Sequence, residues 1–265
     1  MAHSKNPEAE KILDKEYKVL DKGFVRLVDF MGGDDRIVQS ARVSYGEGTK
    51  SVREDKRLIA YLLRNEHMSP FEQVVFTFHI KMPIFVARQW VRHRTARMNE
   101  ISGRYSVMND DFYVPAPENV RAQSKRNMQG RADEALEPAL QQEVIDYLNQ
   151  DYDFVYSHYQ KMIDKDITRE LARINLPLSL YTEMYWQMDL RNLLNFIRLR
   201  LDWHAQFEIR EYAKVLAEMV KAVTPYTWEA FENYSLGGTR LSQEQLEKLK
   251  SALGPDHELV KELKL

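Results

Sequence analysis

The densest concentration of chemistry-bearing side chains is Arg88–Tyr105, RQWVRHRTARMNEISGRY, which carries Arg88, Arg92, Arg94, Arg97 and Arg104 together with His93. Acidic compensation inside it is limited to Glu100. Guanidinium groups stay charged at any working pH and grip phosphates through two parallel hydrogen bonds. Asn99, Ser102 and Gly103 add side-chain and backbone donors beside that charge. On a helix, Arg88 and Arg92 would share one face and Gln89 and His93 the next. Phosphates on arginines and a base on Gln or Asn amides would suit a nucleotide. A solvated basic helix face is the plainer alternative.

Two further arginine groups follow. Arg191–His204, RNLLNFIRLRLDWH, places Arg191 and Asn195 four residues apart, and Arg200 and His204 likewise. An amphipathic helix needs none of these polar residues on its inner stripe, although arginines paired with Asp189 or Asp202 would explain them structurally. Arg173 ends a short segment that also holds Arg169 and Glu170, which taken alone reads as a salt-bridged surface helix. A fourth element is His67-x-Ser69-Pro70-x-Glu72. The seven histidines are scattered without an i,i+4 ligand pair, so no metal is expected.

Composition removes several classes. There is no cysteine among the 265 residues, so disulfides, thiolate metal sites and a Cys nucleophile are excluded. The formal net charge of −2 provides no overall basic field for nucleic acid, and any anion site must be local. The opening residues MAHSKNPEAEK are polar and lack a secretory apolar run, and nothing approaches the ~20 apolar residues of a membrane span, so a cytoplasmic protein with no membrane partner is expected.

These groups need a frame to hold them. Gly23–Phe30 alternates like a half-buried strand, Gly32-Gly33 turns the chain, and Asp34 and Asp35 can cap a helix to about Val43. Gly46–Lys50 is a loop. Glu54–Asn65 is helical, with Leu58, Tyr61 and Leu62 on one face. Gln73–Lys81 is the clearest strand, with Val75, Thr77, His79 and Lys81 on one side. Pro83 opens a helix over Ile84–Arg94, and Asn99–Arg104 breaks the pattern. Residues 115–135 are a polar surface excursion. Helices are expected over Glu137–Asp164, Thr168–Ile174, Arg191–Leu201 and Gln206–Ala222, with a strand over Leu178–Leu190. The result is one α+β domain with a central, mainly antiparallel sheet flanked by helices. It divides into a peripheral segment 1–20, a catalytic domain 21–235 and a C-terminal appendage 236–265.

Arg92-His93-Arg94 followed by seven residues and Ser102 resembles the hallmark of the flavin-dependent thymidylate synthases. The likeness extends through Asn99-Glu100-x-Ser102-x-Arg104-Tyr105, His67-x-Ser69-Pro70-Phe71-Glu72, Phe76-x-Phe78, Asn195-Phe196 and Leu199-Arg200-x-x-x-His204-Ala205-Gln206, covering roughly residues 20–230. Arg97 stands where the family often has Ser. The resemblance implies FAD contacts from Arg92, His93 and Arg94, joined by Ser69, Glu100, Arg191 and Asn195, with His204 beside the isoalloxazine. It places dUMP against Gln89, Arg92, Ser102, Gly103, Arg104, Arg173 and Arg200. It implies NADPH as reductant, 5,10-methylenetetrahydrofolate as carbon donor, and a homotetramer whose active sites draw on several subunits.

The absence of a thiol bears on the chemistry, because C5 of uracil is a poor nucleophile that cysteine-using thymidylate synthases activate by addition at C6. The resemblance implies instead that Arg200 stabilises negative charge on the pyrimidine, as a charge stabiliser and not a base. Ser102 is expected to donate a hydrogen bond to substrate, since no histidine lies near it in sequence to activate it. Two other classes stay open at this level: a nucleic-acid-binding module built on Arg88–Arg104, and a nucleotide-binding flavoprotein of other activity.

Overall fold

The computed structural model describes residues 6–43, 52–254 and 257–259; the loop expected over Gly46–Lys50 lies outside them. The framework is a five-stranded sheet in the order β1-β2-β3-β7-β4, with every neighbouring pair antiparallel. Its strands are β1 (Glu16–Val19), β2 (Gly23–Met31), β3 (Val75–Pro83), β4 (Arg97–Glu100) and β7 (Tyr181–Asp189). Strand alternation decides the faces. In β3, Phe76, Phe78, Ile80 and Met82 are buried, while Thr77, His79 and Lys81 are half-buried on the other side. β7 matches it in register, setting Trp186 opposite Phe78 and Met184 opposite Ile80.

Helices cover the apolar face. They are α4 (Ile84–Trp90), α7 (Leu190–Leu201) and α8 (Phe207–Val223). Trp90, Trp186, Phe196 and Tyr212 pack together with ring centroids 4.5–6.0 Å apart. Each such fully buried aromatic contributes about 1.5–3 kcal/mol of transfer free energy. This packing brings the end of α4 against α7, which carries Arg191 and Arg200, and Arg92-His93-Arg94 follows directly after α4. Tyr212 also donates its hydroxyl to the Lys81 carbonyl at 2.7 Å, locking α8 onto β3.

The remaining helices are α1 (Pro7–Ile12), α2 (Asp34–Arg42), α3 (Val52–Arg64), α5 (Pro138–Asp164), α6 (Arg169–Ala172), α9 (Pro225–Phe231) and α10 (Gln243–Leu253). A second, smaller core of Met108, Phe112, Tyr152, Tyr159, Ala172 and Leu180 joins α5 to the segment after β4. β5 (Arg121–Gln123) and β6 (Arg131–Ala135) form a separate hairpin.

Several expectations need correction. The helix expected over Ile84–Arg94 ends at Trp90, so Arg92, His93 and Arg94 stand in the following turn and not on a helix face. The expected break at Asn99–Arg104 overlaps β4, an edge strand whose four residues are all exposed and give no burial alternation. The inner face of α3 is Ile59, Leu62 and Leu63, whereas Tyr61 is exposed. Gly33 is the N-cap of α2 without a side-chain cap. Asp34 instead accepts from Tyr226 N, Thr227 N and Thr227 Oγ1 and so caps α9, an element the sequence reading lacked. Burial raises the Asp34 carboxyl above its ordinary pKa, partly offset by these hydrogen bonds. The polar stretch 115–135 contains an ordered hairpin. The short segment 1–20 contributes α1 and the edge strand β1.

Candidate active site

The arginine groups resolve into three clusters, each built by a different junction of the fold. The first lies where the end of α4 meets the end of α7. Arg200 donates from Nε to His93 Nε2 at 3.1 Å and from its second terminal nitrogen to the Gln89 carbonyl at 3.2 Å. His93 rests edge-on against the buried Phe196 ring, with centroids 4.6 Å apart. Burial, and then the charge of Arg200, push the His93 pKa down to about 4, so the imidazole is neutral near pH 7 and can accept from the guanidinium. Burial alone lowers that of Arg200. The Gln89 side chain is hydrogen-bonded to Gln206 at the start of α8.

The second cluster lies where the chain after β4 meets α6. Gly103 is buried against the Arg173 side chain; a Cβ there would stand 2.9 Å from Arg173 Cδ. Arg104 pairs with Glu170 at 3.0 Å, and Arg169 donates to the Tyr105 carbonyl at 2.9 Å. The salt bridge thus ties α6 to the motif, in place of one internal to the Arg169–Arg173 segment. Ser102 Oγ accepts from Arg104 N at 3.2 Å, and no histidine partner is found for it among the described residues. Glu100 accepts from Thr182 Oγ1 at 2.6 Å, which anchors the preceding edge strand.

The third cluster lies at the start of α7. Arg191 is ion-paired with Glu72, and Asn195 accepts from Arg198 at 3.1 Å. They line a groove of about 760 Å³ with Arg64, Tyr234 and Arg240. Ser69 is exposed, in the 3₁₀ turn Ser69–Gln73 that also supplies Glu72. Asp189 caps α7 through Asn192, and Asp202 accepts from His204 at 2.7 Å; neither forms an ion pair with an arginine of α7 among the described residues. α7 ends at Leu201, so His204 lies beyond the helix rather than one turn above Arg200. Its ring lies against Trp203 instead, with centroids 3.6 Å apart.

Arg191 and Arg200 are nine residues apart on α7, about 13 Å along its axis. Among the described residues no hydrogen bond or ion pair joins the three clusters. Arg92 and Arg94 are exposed and form no ion pair among the described residues, so their charge is available to an external anion. Four contacts escaped sequence reasoning: Glu72 to Arg191, Gln206 to Gln89, Glu170 to Arg104 and Phe196 under His93. Each joins residues far apart in the chain, and Glu72, Phe196 and Gln206 stand inside the quoted motifs without a role.

Comparison with known proteins places this geometry. The family Thy1, described as "Thymidylate synthase complementing protein", matches residues 26–226. The flavin-dependent thymidylate synthase of Treponema denticola is 62% identical over 91% of this chain and 91% of its own. That of Treponema pallidum is 55% identical over 96% of this chain and 83% of its own. That of Thermus thermophilus is 55% identical over 90% and 86%. Among solved structures, a UMP/dUMP methylase, PolB, from Streptomyces cacaoi bound with 5-Br dUMP superimposes with a TM-score of 0.75 at 31% identity, covering 83% of this chain and 99% of that one. The family match takes in most of β2, all of β3, β4 and β7, and α4, α6, α7 and α8, the elements around the three clusters, and the chain belongs to the thymidylate synthase complementing protein family, together with these flavin-dependent thymidylate synthases.

Proposed function

We propose that the chain methylates dUMP at C5 to form dTMP, with 5,10-methylenetetrahydrofolate as carbon donor and NADPH as reductant through FAD. The observation that carries the reading is Arg200. It is a half-buried guanidinium with no carboxylate partner among the described residues, steered by a neutral imidazole and a backbone carbonyl. A cation left in that state favours an anion delivered to it. Negative charge that develops on the pyrimidine is such an anion, and placing it there makes C5 nucleophilic without a thiol, which this chain lacks. His93 orients Arg200, and Gln89, held by Gln206, presents an amide beside it.

Arg104, Arg173, Ser102 and Gly103 form the second half of the dUMP site, with the two guanidiniums placed for the phosphate. The donor set fits FAD. Arg92 and Arg94 offer uncompensated charge to a pyrophosphate, and Arg191, Asn195, Glu100 and Ser69 offer polar contacts, with His93 and His204 as the imidazoles of the set. When bound, FAD supplies the hydride that completes the methyl group. The protein's own residues bind, orient and stabilise charge.

Because the clusters stay apart within one chain, the complete site takes residues from several copies, in a homotetramer. Light scattering at micromolar concentration checks this, and a monomer mass would overturn the shared site. The catalytic unit is 21–235, with 1–20 and 236–265 flanking it, and the enzyme works in the cytoplasm. No described helix is long and apolar enough to cross a membrane. Release of tritium from C5 of dUMP, dependent on methylenetetrahydrofolate and NADPH, tests the activity directly; no release from the FAD-loaded protein would overturn it.

A further inference from the structure

The β5–β6 hairpin is not used by any of the three clusters, yet it encloses one side of a groove of about 700 Å³ whose other side is Trp203, Gln206 and Arg210. Four arginines line it, Arg121, Arg126, Arg131 and Arg210, against one acidic lining residue, Asp133. Their charges are not equivalent. Arg131 is committed to the fold: it is ion-paired with Glu208, which is buried on α8, and its guanidinium lies 5.3 Å from the Phe207 ring centroid. That pair holds the hairpin against the body of the protein. The other three have no carboxylate partner among the residues lining the groove, although Arg210 interacts electrostatically with the exposed Asp202 outside it. Arg121 donates to the carbonyls of Glu118 and Asp133, Arg210 reaches the Trp203 carbonyl at 3.4 Å, and Arg126 forms no ion pair among the described residues. Three guanidiniums whose hydrogen bonds go to carbonyls or to none leave net positive charge in a concave site.

The groove also has a defined near end. Gln206 lines it and is hydrogen-bonded to Gln89, whose carbonyl accepts from Arg200, and Trp203 lies against His204. A ligand in the groove therefore extends away from the reacting centre.

We propose that this groove receives the glutamyl tail of the reduced-folate co-substrate, and that chains of several γ-linked glutamates bind there more tightly than one. This rests on the dUMP-methylating reading above. A γ-glutamyl chain repeats an amide and a carboxylate. The groove sets guanidiniums, whose fork suits the carboxylates, among the amide side chains of Asn119 and Gln129, which suit the linking amides. Trp203, more than half exposed, offers a flat face for the aromatic ring that precedes the tail.

The experiment measures binding of tetrahydrofolate mono- and triglutamate to the FAD-loaded, dUMP-bound enzyme by calorimetry, for wild type and Arg126→Ala/Arg210→Ala, beside the KM for NADPH in folate-free oxidation. Neither residue belongs to the three clusters. The expected result is about tenfold tighter binding of the triglutamate to wild type, lost in the double variant, with monoglutamate affinity and NADPH KM unchanged. Equal affinities in wild type, or a preference that survives the double variant, overturn the proposal. A change confined to the NADPH KM overturns it in favour of nucleotide phosphates. Arg126→Gln, at a side chain the fold does not use, repeats the test should the double variant unfold. Tritium release from C5 of dUMP, supplied with the monoglutamyl donor, reports on the methylation reading separately, since it needs no long tail.

Discussion

Arg200 donates to the Nε2 atom of His93 across 3.1 Å, so a half-buried cation at the junction of α4 and α7 is steered by a neutral ring. A lysine at position 200 would keep the charge but lose the planar fork that serves His93, the Gln89 carbonyl and a ligand at once. Arg200→Ala and Arg200→Lys are both expected to lower C5 exchange of dUMP by about 10²–10³, while NADPH oxidation by the FAD-loaded protein survives. Near-normal exchange in Arg200→Ala would move charge stabilisation to another residue, with Arg173 next in line.

Burial of His93, with the charge of Arg200 beside it, sets a pH dependence. The His93 pKa is pushed down to about 4 in the folded protein, against about 6.5 for an unperturbed histidine. Between those values the unfolded chain binds the extra proton and the folded chain does not, so stability rises with pH across the window and is eroded as pH falls from 6.5 towards 4. Charging His93 also places a second cation against Arg200. NMR titration of the imidazole is expected to show a midpoint near 4, and His93→Gln is expected to flatten the acid limb of the stability curve between 6.5 and 4. A midpoint near 6.5 would mean that the ring is not held as described.

The hairpin's anchor is a charge pair with one fully buried end. Glu208 accepts from Arg131 and from the Tyr113 hydroxyl at 3.1 Å. Burial, and then Glu208, raise the pKa of that tyrosine, which therefore stays a donor. Removing Arg131 leaves a buried carboxylate uncompensated. Arg131→Ala is expected to destabilise by about 2–3 kcal/mol, below the usual cost of breaking a buried pair because the arginine is partly exposed. Arg131→Ala with Glu208→Gln is expected to recover most of the loss. Chemical denaturation checks both, and additive effects would show that the two side chains do not act as a pair.

What sequence could reveal here depended on local signals. β3 is legible because Phe76, Phe78 and Ile80 alternate with more polar residues, and β7 because its stretch is rich in Tyr, Thr, Met and Trp. β4 is not, because an edge strand with four exposed residues writes no pattern. The end of α4 is not legible, because the arginines after Trp90 are as compatible with helix as with turn; Arg92-His93-Arg94 stands out by its motif and not by its backbone. α9 is short and takes its cap from Asp34, almost two hundred residues earlier. The arginine clusters were visible as types and spacings, whereas their separation depended on which junction of the fold holds each. The hairpin groove was invisible for the same reason, since Arg126 and Arg210 meet only in space.

Gly103 offers a test of the second cluster at the edge of the smaller core and away from the sheet. Its Cα hydrogen faces Arg173 and Met108, and an added Cβ would stand 2.9 Å from Arg173 Cδ and 3.1 Å from Met108 Sδ. Both neighbours are flexible side chains, so Gly103→Ala can be accommodated by movement, and no left-handed backbone is involved. The arginine is the more exposed of the two and is the one expected to give way. If Arg173 and Arg104 together hold the dUMP phosphate, shifting one guanidinium costs a charge-assisted contact of about 1.5–3 kcal/mol, which is roughly ten- to a hundredfold in dUMP affinity. Thermal stability should change little by comparison, because the overpacking is relieved at the surface. Measuring dUMP binding and the melting temperature on the same preparation separates the two effects. A melting temperature that falls while dUMP affinity holds would place Arg173 outside the nucleotide site and make Gly103 a packing residue only.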